Sequence, residues 1–160
     1  MVETNANVMI GGFIVGAGLG PNGDGSSEVL IRALGPELTG FGISDALQDL
    51  TMELHDGNGN LLLANDNWKD SQQATIQATG LAPGDNREPA ILTTLIPGSW
   101  TAILRGKNNT TAVGLIEHYR IHEAAADPVR AAVAVVRCRQ RTRISKSAED
   151  SGHYSIASKA

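Results

Sequence analysis

The chain has 160 residues, 41% hydrophobic and 4% aromatic, and a formal net charge of −4, which suits one globular domain with a hydrophobic core. We expect no membrane span, because the apolar stretch at residues 8–19 is interrupted by glycines and is shorter than the roughly 20 residues that a helix needs to cross a bilayer. We expect no nucleic-acid partner either, since an acidic chain repels phosphates and offers few aromatic rings for base stacking.

Short strands at regular spacing are predicted over the first 123 residues. Apolar and polar residues alternate over 8–15, 29–34 and 51–55, which is the period of a half-buried strand. Further strands are predicted at 60–65, 89–96, 99–105 and 111–121. The intervening turn signals are Gly35-Pro36, Asp56-Gly57, Pro83-Gly84, Pro97-Gly98 and Asn108-Asn109. Seven or eight such strands predict an all-β fold, an antiparallel and jelly-roll-like β-sandwich.

Two segments depart from the strand pattern. Residues 71–79 are predicted to form a helical turn on the rim of the sandwich, and residues 125–143 repeat apolar side chains near helical spacing. Charge also changes along the chain: residues 1–123 hold 6 Lys/Arg against 14 Asp/Glu, whereas residues 124–160 hold 7 against 3. We therefore predict a β-sandwich domain over residues 1–123 and a basic tail over 124–160 that is disordered or partly helical and lies outside the fold.

The run from Asp56 to Asp70, DGNGNLLLANDNWKD, is the most informative part of the sequence. It places two clusters of Asp, Asn and Gly, which favour turns, on either side of a short apolar strand. The same oxygen-bearing side chains are what Ca²⁺ requires. Asp56, Asn58 and Asn60 have the alternate spacing of a cation-binding loop, but the later Gly and Glu of an EF-hand are missing. A β-hairpin turn explains DGNG equally well.

The second cluster predicts a composite metal site if the loops at one end of the sandwich converge. Its candidate calcium ligands are Asn65, Asp66, Asp70, Asp85 and Glu88. Trp68 lies in the same polar loop, where it is either a platform for a ligand or an anchor for the loop.

Catalytic candidates are few. His55 is a possible general base because the neighbouring Asp56 can orient its imidazole, and Asp66 is an alternative base in a metal-dependent reaction. His118 and His122 are four apart on a predicted strand, where they would be roughly 13 Å apart and are expected to face solvent. No G-x-S-x-G elbow occurs, and Cys138 has no histidine nearby, so nucleophilic catalysis finds no support.

Several motifs in order resemble a known kind of module. They are VMIGGFIV (8–15), VLIRALGPEL (29–38), LTMELHDGNGNLL (50–62), NDNW (65–68), IQATGLAP (76–83) and LIPGSWTAILRGKNNTTAVGLIE (95–117). Together, over roughly residues 6–121, they resemble a β-sandwich module repeated in secreted proteins of environmental bacteria, similar in architecture to pre-peptidase C-terminal domains. The resemblance implies an extracellular or cell-surface location, although we expect no signal peptide in this chain because no basic segment precedes its first apolar stretch.

Two functions follow as hypotheses. The first is a calcium-stabilised accessory module without catalytic activity that binds a polysaccharide, a cell surface or a neighbouring domain, as the resemblance implies. The second is a small Ca²⁺-dependent hydrolase of esters or lactones, such as acyl-homoserine lactones, in which His55 or Asp66 acts as base. The residues favour the first, because no complete catalytic motif is present.

Overall fold

Residues 8–16 and 24–121, which the computed structural model describes, form two antiparallel β-sheets packed face to face. The strands are β1 (Val8–Val15), β2 (Ser27–Leu34), β3 (Leu50–His55), β4 (Leu61–Asn65), β5 (Ala90–Leu95), β6 (Gly98–Gly106) and β7 (Leu115–Ile121). The helical elements are α1 (Gln73–Ala78) and two 3-10 turns, Pro36–Phe41 and Lys107–Asn109. In this part of the chain no helix is long and apolar enough to cross a membrane.

These elements confirm the predicted all-β sandwich and the helical turn within residues 71–79. The predicted last strand begins four residues too early, because Val113 instead forms an isolated bridge with Ala46 and β7 starts only at Leu115. The predictions for residues 124–160, the helix at 125–143 among them, and for His122 lie outside the described residues.

The chain changes sheet after every strand except one. The first sheet has the strand order β1-β6-β3-β4 and the second β5-β2-β7, so only β3 and β4 form a hairpin within one sheet. The DGNG segment closes this hairpin: Asp56 Oδ1 accepts hydrogen bonds from the backbone N–H groups of Asn58 and Asn60, and Gly59 has a φ of 84°. The hairpin interpretation of this turn is confirmed, since its geometry needs φ values that glycine adopts readily.

The main core lies between the two sheets, where alternate residues of every strand except β4 point inward. At one edge β1 packs over β7, where Gly11 lies against the side chain of Ile116. Beside them the ring of Phe13 stacks on His118 with ring centroids 4.9 Å apart. The expectation that His118 faces solvent is therefore wrong: pairing of β7 with β2 turns it toward β1, and burial lowers its pKa.

A third layer covers the outer face of the second sheet. Residues 66–88 cross this face, and Trp68 and Ile76 pack there against Leu30, Leu92 and Tyr119 in a separate apolar cluster. The side chain of Gln72 fixes the crossing to the edge strand β5, since its amide exchanges hydrogen bonds of 2.8 and 3.0 Å with the backbone of Leu92. The second sheet is thus buried on both faces.

Arg32 lies beneath this layer and is fully paired. Its guanidinium donates to Glu117 at 2.7 Å, to the carbonyl oxygen of Leu81 at 2.8 Å and to the hydroxyl of Tyr119 at 3.2 Å. A buried guanidinium is tolerated only when its donors find such partners. The network therefore joins β2 and β7 to the covering segment.

Glu88 is the fully buried acidic residue that fixes one end of the sandwich. Its Oε1 accepts hydrogen bonds from the backbone N–H groups of Gly35, at 2.8 Å, and Glu37, at 2.9 Å, and its Oε2 accepts one from Asp85 at 3.3 Å. Its own carbonyl oxygen accepts the N–H of Trp68 at 3.1 Å. Burial raises the pKa of this carboxyl group, whereas the backbone donors oppose the rise. One side chain thus connects the end of β2, the start of β5 and the third layer.

We predict that Glu88→Ala lowers the free energy of unfolding by about 3–5 kcal/mol, because three backbone N–H groups lose their acceptor. Glu88→Gln should cost about 1–3 kcal/mol, since the amide keeps one acceptor oxygen. Urea unfolding measures both. Glu37→Ala is the matched control: its carboxylate accepts one N–H, from Gly84, in an exposed position, so its loss should cost less than about 1 kcal/mol. Equal effects at Glu37 and Glu88 would contradict the assignment.

Candidate functional site

All seven strands have a terminus at one end of the sandwich, which brings together the loops that carry the candidate ligands. Here β2, β4 and β6 end while β1, β3, β5 and β7 begin. Side-chain and backbone bonds join them: Asn65 Oδ1 accepts the N–H of Ala90 at 2.9 Å, and the N–H of Lys107 donates to the carbonyl oxygen of Asp49 at 3.0 Å. We call this region, residues 35–49, 65–70, 84–89 and 106–114, the loop end.

Lys107 is the central cation of the loop end. Its ammonium group lies 2.7 Å from Asp66 Oδ2 and 3.7 Å from Asp49 Oδ2. The hydrogen bond to Asp66 and the two negative charges raise the pKa of Lys107. The second oxygen, Oδ1, of each aspartate is buried without a hydrogen-bond partner in the described part of the chain. Such atoms are rare in native structures and indicate a place whose residues are not arranged for stability alone.

A cavity of about 240 Å³ lies beside Lys107. It is lined by Ala46, Leu47, Gln48, Asp49, Lys107, Asn108, Thr110 and Ala112. The lining therefore combines an apolar floor with a carboxylate, an ammonium, two side-chain amides and a hydroxyl. Such a lining can contact a small ligand that has both C–H groups and polar groups.

The loop after β6 gives the cavity its shape. Asn108 and Asn109 both have left-handed backbone conformations, with φ of 57° and 59°. Asn tolerates this region better than most residues, which explains the Asn-Asn pair. A side chain at Gly106 would overlap with Thr110, so the turn can close only with glycine there. The loop is thus held in one shape by its own sequence.

Two of the predicted calcium ligands are occupied by other partners. Asp85 forms a salt bridge of 2.8 Å with Arg87, and this hydrogen bonding lowers the pKa of Asp85 to about 2. Glu88 directs both oxygens at backbone N–H groups. Neither carboxylate is arranged to bind an ion together with Asp66, which already holds Lys107.

The other two predicted ligands form hydrogen bonds with backbone and side-chain amides. Asn65 accepts the N–H of Ala90 and donates to the carbonyl oxygen of Asn67 at 3.1 Å, and Asp70 accepts a bond of 3.0 Å from the Asn67 amide. Within residues 8–16 and 24–121, no group of three or more His, Cys, Asp or Glu side chains is placed to hold a metal ion. All five residues lie at the loop end, and each already has another partner.

Trp68 is buried, with 3% of its surface exposed. Its indole N–H donates to the carbonyl oxygen of Asp85 at 3.1 Å, and the ammonium of Lys69 lies 5.1 Å from the ring centroid. These contacts favour the loop-anchor alternative over the ligand platform, because the buried ring leaves almost no surface that a ligand could contact. The polar neighbours of Trp68 in the sequence gave no sign of this, because the apolar residues that bury it are distant in sequence.

His55 lies far from Asp66. Their strands run antiparallel, with His55 opposite Leu61 and Asn65 opposite Met52, so the two side chains are separated by about four residues along the sheet, or roughly 13 Å. Both ring nitrogens of His55 face acceptors: Nε2 lies 3.0 Å from Glu53 Oε2, and Nδ1 lies 3.1 Å from the carbonyl oxygen of Gly59. These bonds raise the pKa of His55 and favour the charged imidazolium, which has no lone pair for a general base.

Sequence reasoning missed three residues that decide these sites. Glu53, two positions before His55 on the same face of β3, could have been found from the period of a strand. Asp49 and Lys107 carry no local signal, since their partners lie elsewhere in the sequence; Lys107 and Asp66 are 41 residues apart.

Comparison of the chain with protein-family models, with curated proteins and with solved structures found no match. The functional conclusion therefore depends on the geometry of the loop end and on the chemistry of its side chains.

Proposed function

We propose that this chain is a non-catalytic, extracellular or cell-surface β-sandwich module that binds a polysaccharide through its loop end. The cavity beside Lys107 is the observation that carries the proposal. Its apolar floor fits the C–H face of a sugar ring, and its carboxylate, ammonium, amide and hydroxyl groups fit the hydroxyls. The resemblance to a module of secreted bacterial proteins agrees with this role and is the basis for the location.

Binding is favoured over the alternative, hydrolysis of an ester or lactone. Hydrolysis needs a base with a free lone pair within hydrogen-bond reach of the attacking water. His55 has both nitrogens directed at acceptors and lies roughly 13 Å from Asp66. Asp66 is itself neutralised by Lys107. The loop end contains no histidine, and its carboxylates Asp49 and Asp66 both face the ammonium of Lys107, which favours hydrogen bonding to a ligand over abstraction of a proton from water.

The proposal predicts binding without turnover. Affinity electrophoresis in gels containing soluble neutral polysaccharides should retard the protein, and p-nitrophenyl esters and N-hexanoyl-homoserine lactone should be hydrolysed no faster than in buffer. Asp66→Ala and His55→Gln are assayed beside the parent, with thermal unfolding as the control for folding. Turnover by the parent that Asp66→Ala abolishes without unfolding would overturn the proposal in favour of hydrolysis. Failure of every polysaccharide to retard the parent would overturn it as well.

Stabilisation of the fold by calcium is a separate part of the proposal. Lys107 already neutralises Asp66 and lies near Asp49, so a calcium ion must compete with a tethered ammonium. We expect 5 mM CaCl₂ to raise the Tm of the parent by no more than about 2 °C over the chelated protein. Lys107→Met removes the resident cation and leaves two carboxylates without it, so its Tm should be lower and should recover in calcium. A rise on the order of 10 °C in the parent, expected of a saturated native site, would contradict this view.

A further inference from the structure

We propose that the cavity at the loop end takes one neutral hexopyranose unit and rejects uronate units. The inference rests on the proposed function and names the class of glycan that this site selects. It follows from the size of the cavity, from the pairing of one acceptor with one donor at its rim, and from the charge around it.

Size limits the ligand to a single ring. The cavity volume of about 240 Å³ is smaller than the roughly 300–1,000 Å³ of sites that bury drug-sized molecules. Ala46, Leu47 and Ala112 supply an apolar surface for the C–H groups of one ring. The remaining units of a polysaccharide would lie outside the cavity, in contact with solvent.

The rim offers the donor and acceptor that two neighbouring hydroxyls need. Asp49 and Lys107 side chains are each 42% exposed, and Asp49 Oδ2 lies 3.7 Å from the Lys107 ammonium, beyond hydrogen-bond distance. One hydroxyl can therefore donate to Asp49 Oδ2 while its neighbour accepts from Lys107, whose ammonium has three N–H donors. Asn108 adds an amide that both donates and accepts. Because hydrogen bonds to charged groups are the stronger kind, this pair would fix the orientation of the ring.

Charge around the cavity disfavours an anionic sugar. The loop end carries the acidic residues Glu37, Asp45, Asp49, Asp66, Asp70, Asp85 and Glu88 against Lys69, Arg87 and Lys107. Asp66 already takes the ammonium of Lys107 at 2.7 Å, and Arg87 is paired with Asp85. A uronate carboxylate in the cavity would thus meet Asp49, and Lys107, the cation that lines the cavity, is already paired with Asp66.

Two neighbouring asparagines allow a matched test. Asn108 lines the cavity and Asn109 does not, yet both are exposed and have nearly the same left-handed φ. Glycine adopts this conformation freely, so Asn108→Gly and Asn109→Gly remove the same amide at the same backbone cost. Isothermal titration with cellohexaose, mannohexaose and galactohexaose identifies the neutral oligosaccharide that binds the parent. Asn108→Gly should weaken its binding roughly 3- to 10-fold, the loss of one hydrogen bond, and Asn109→Gly should leave it unchanged.

The charge argument is tested with a matched ligand pair. Hexagalacturonate differs from α-1,4-linked galactohexaose only at C6, where each unit carries a carboxylate in place of a hydroxymethyl group. We expect it to bind at least about tenfold more weakly than this galactohexaose at low salt, where charges are least screened. Asp49→Asn keeps the shape of the side chain and should narrow that difference, as should raising NaCl to 0.5 M. Thermal unfolding of each variant shows that it is folded.

Each outcome decides a different claim. If no hexamer binds and no polysaccharide retards the protein, the proposed function fails. If a neutral hexamer binds but Asn108→Gly and Asn109→Gly behave alike, glycan binding stands and the assignment to this cavity is overturned. If hexagalacturonate binds as tightly as the neutral hexamers, the selection against uronates is overturned.

Discussion

The buried carboxylate of Glu88 is the constraint on which the loop end depends. Three backbone N–H groups that have no strand partner, those of Gly35, Glu37 and Asp85, would be left without an acceptor if it were absent. Gly35 must pack closely, because a side chain there would overlap with the carbonyl of Leu47 and with the side chain of Leu50 in β3. The same turn therefore packs against the segment that contributes Leu47 to the cavity lining.

This constraint separates the two kinds of carboxylate at the loop end. Glu88 is used to hold backbone and is unavailable to solvent, whereas Asp49 is exposed at the rim of a cavity. Two further carboxylates of the loop end form ion pairs: Asp66 pairs with Lys107 and Asp85 with Arg87. The remaining exposed donors and acceptors of the loop end are suited to hydrogen bonding with a polar ligand. That division of roles is why binding is the function we propose.

The strands could be predicted from the sequence because their signals are local. Alternation marks β1, β2 and β3, and the turn at Asp56-Gly57 closes the hairpin with bonds between residues two to four apart. The site depends on contacts that have no such signal. Glu88 meets Gly35 across 53 residues and Lys107 meets Asp66 across 41, so oxygen-rich residues that suggested calcium ligands proved to be paired with amides and cations. Trp68 was ambiguous for the same reason: its polar neighbours are local, but the cluster that buries it comes from β2, β5 and β7.

Amide hydrogen exchange tests the central claim, that the Glu88 carboxylate fixes the loop end, most directly. The hairpin provides an internal comparison, since the N–H groups of Asn58 and Asn60 are also bonded to a carboxylate, that of Asp56, but in an exposed turn. We predict that the amides of Gly35 and Glu37 exchange only at the rate of global unfolding, whereas those of Asn58 and Asn60 exchange by local opening. Exchange of Gly35 and Glu37 as fast as the hairpin amides would contradict the account.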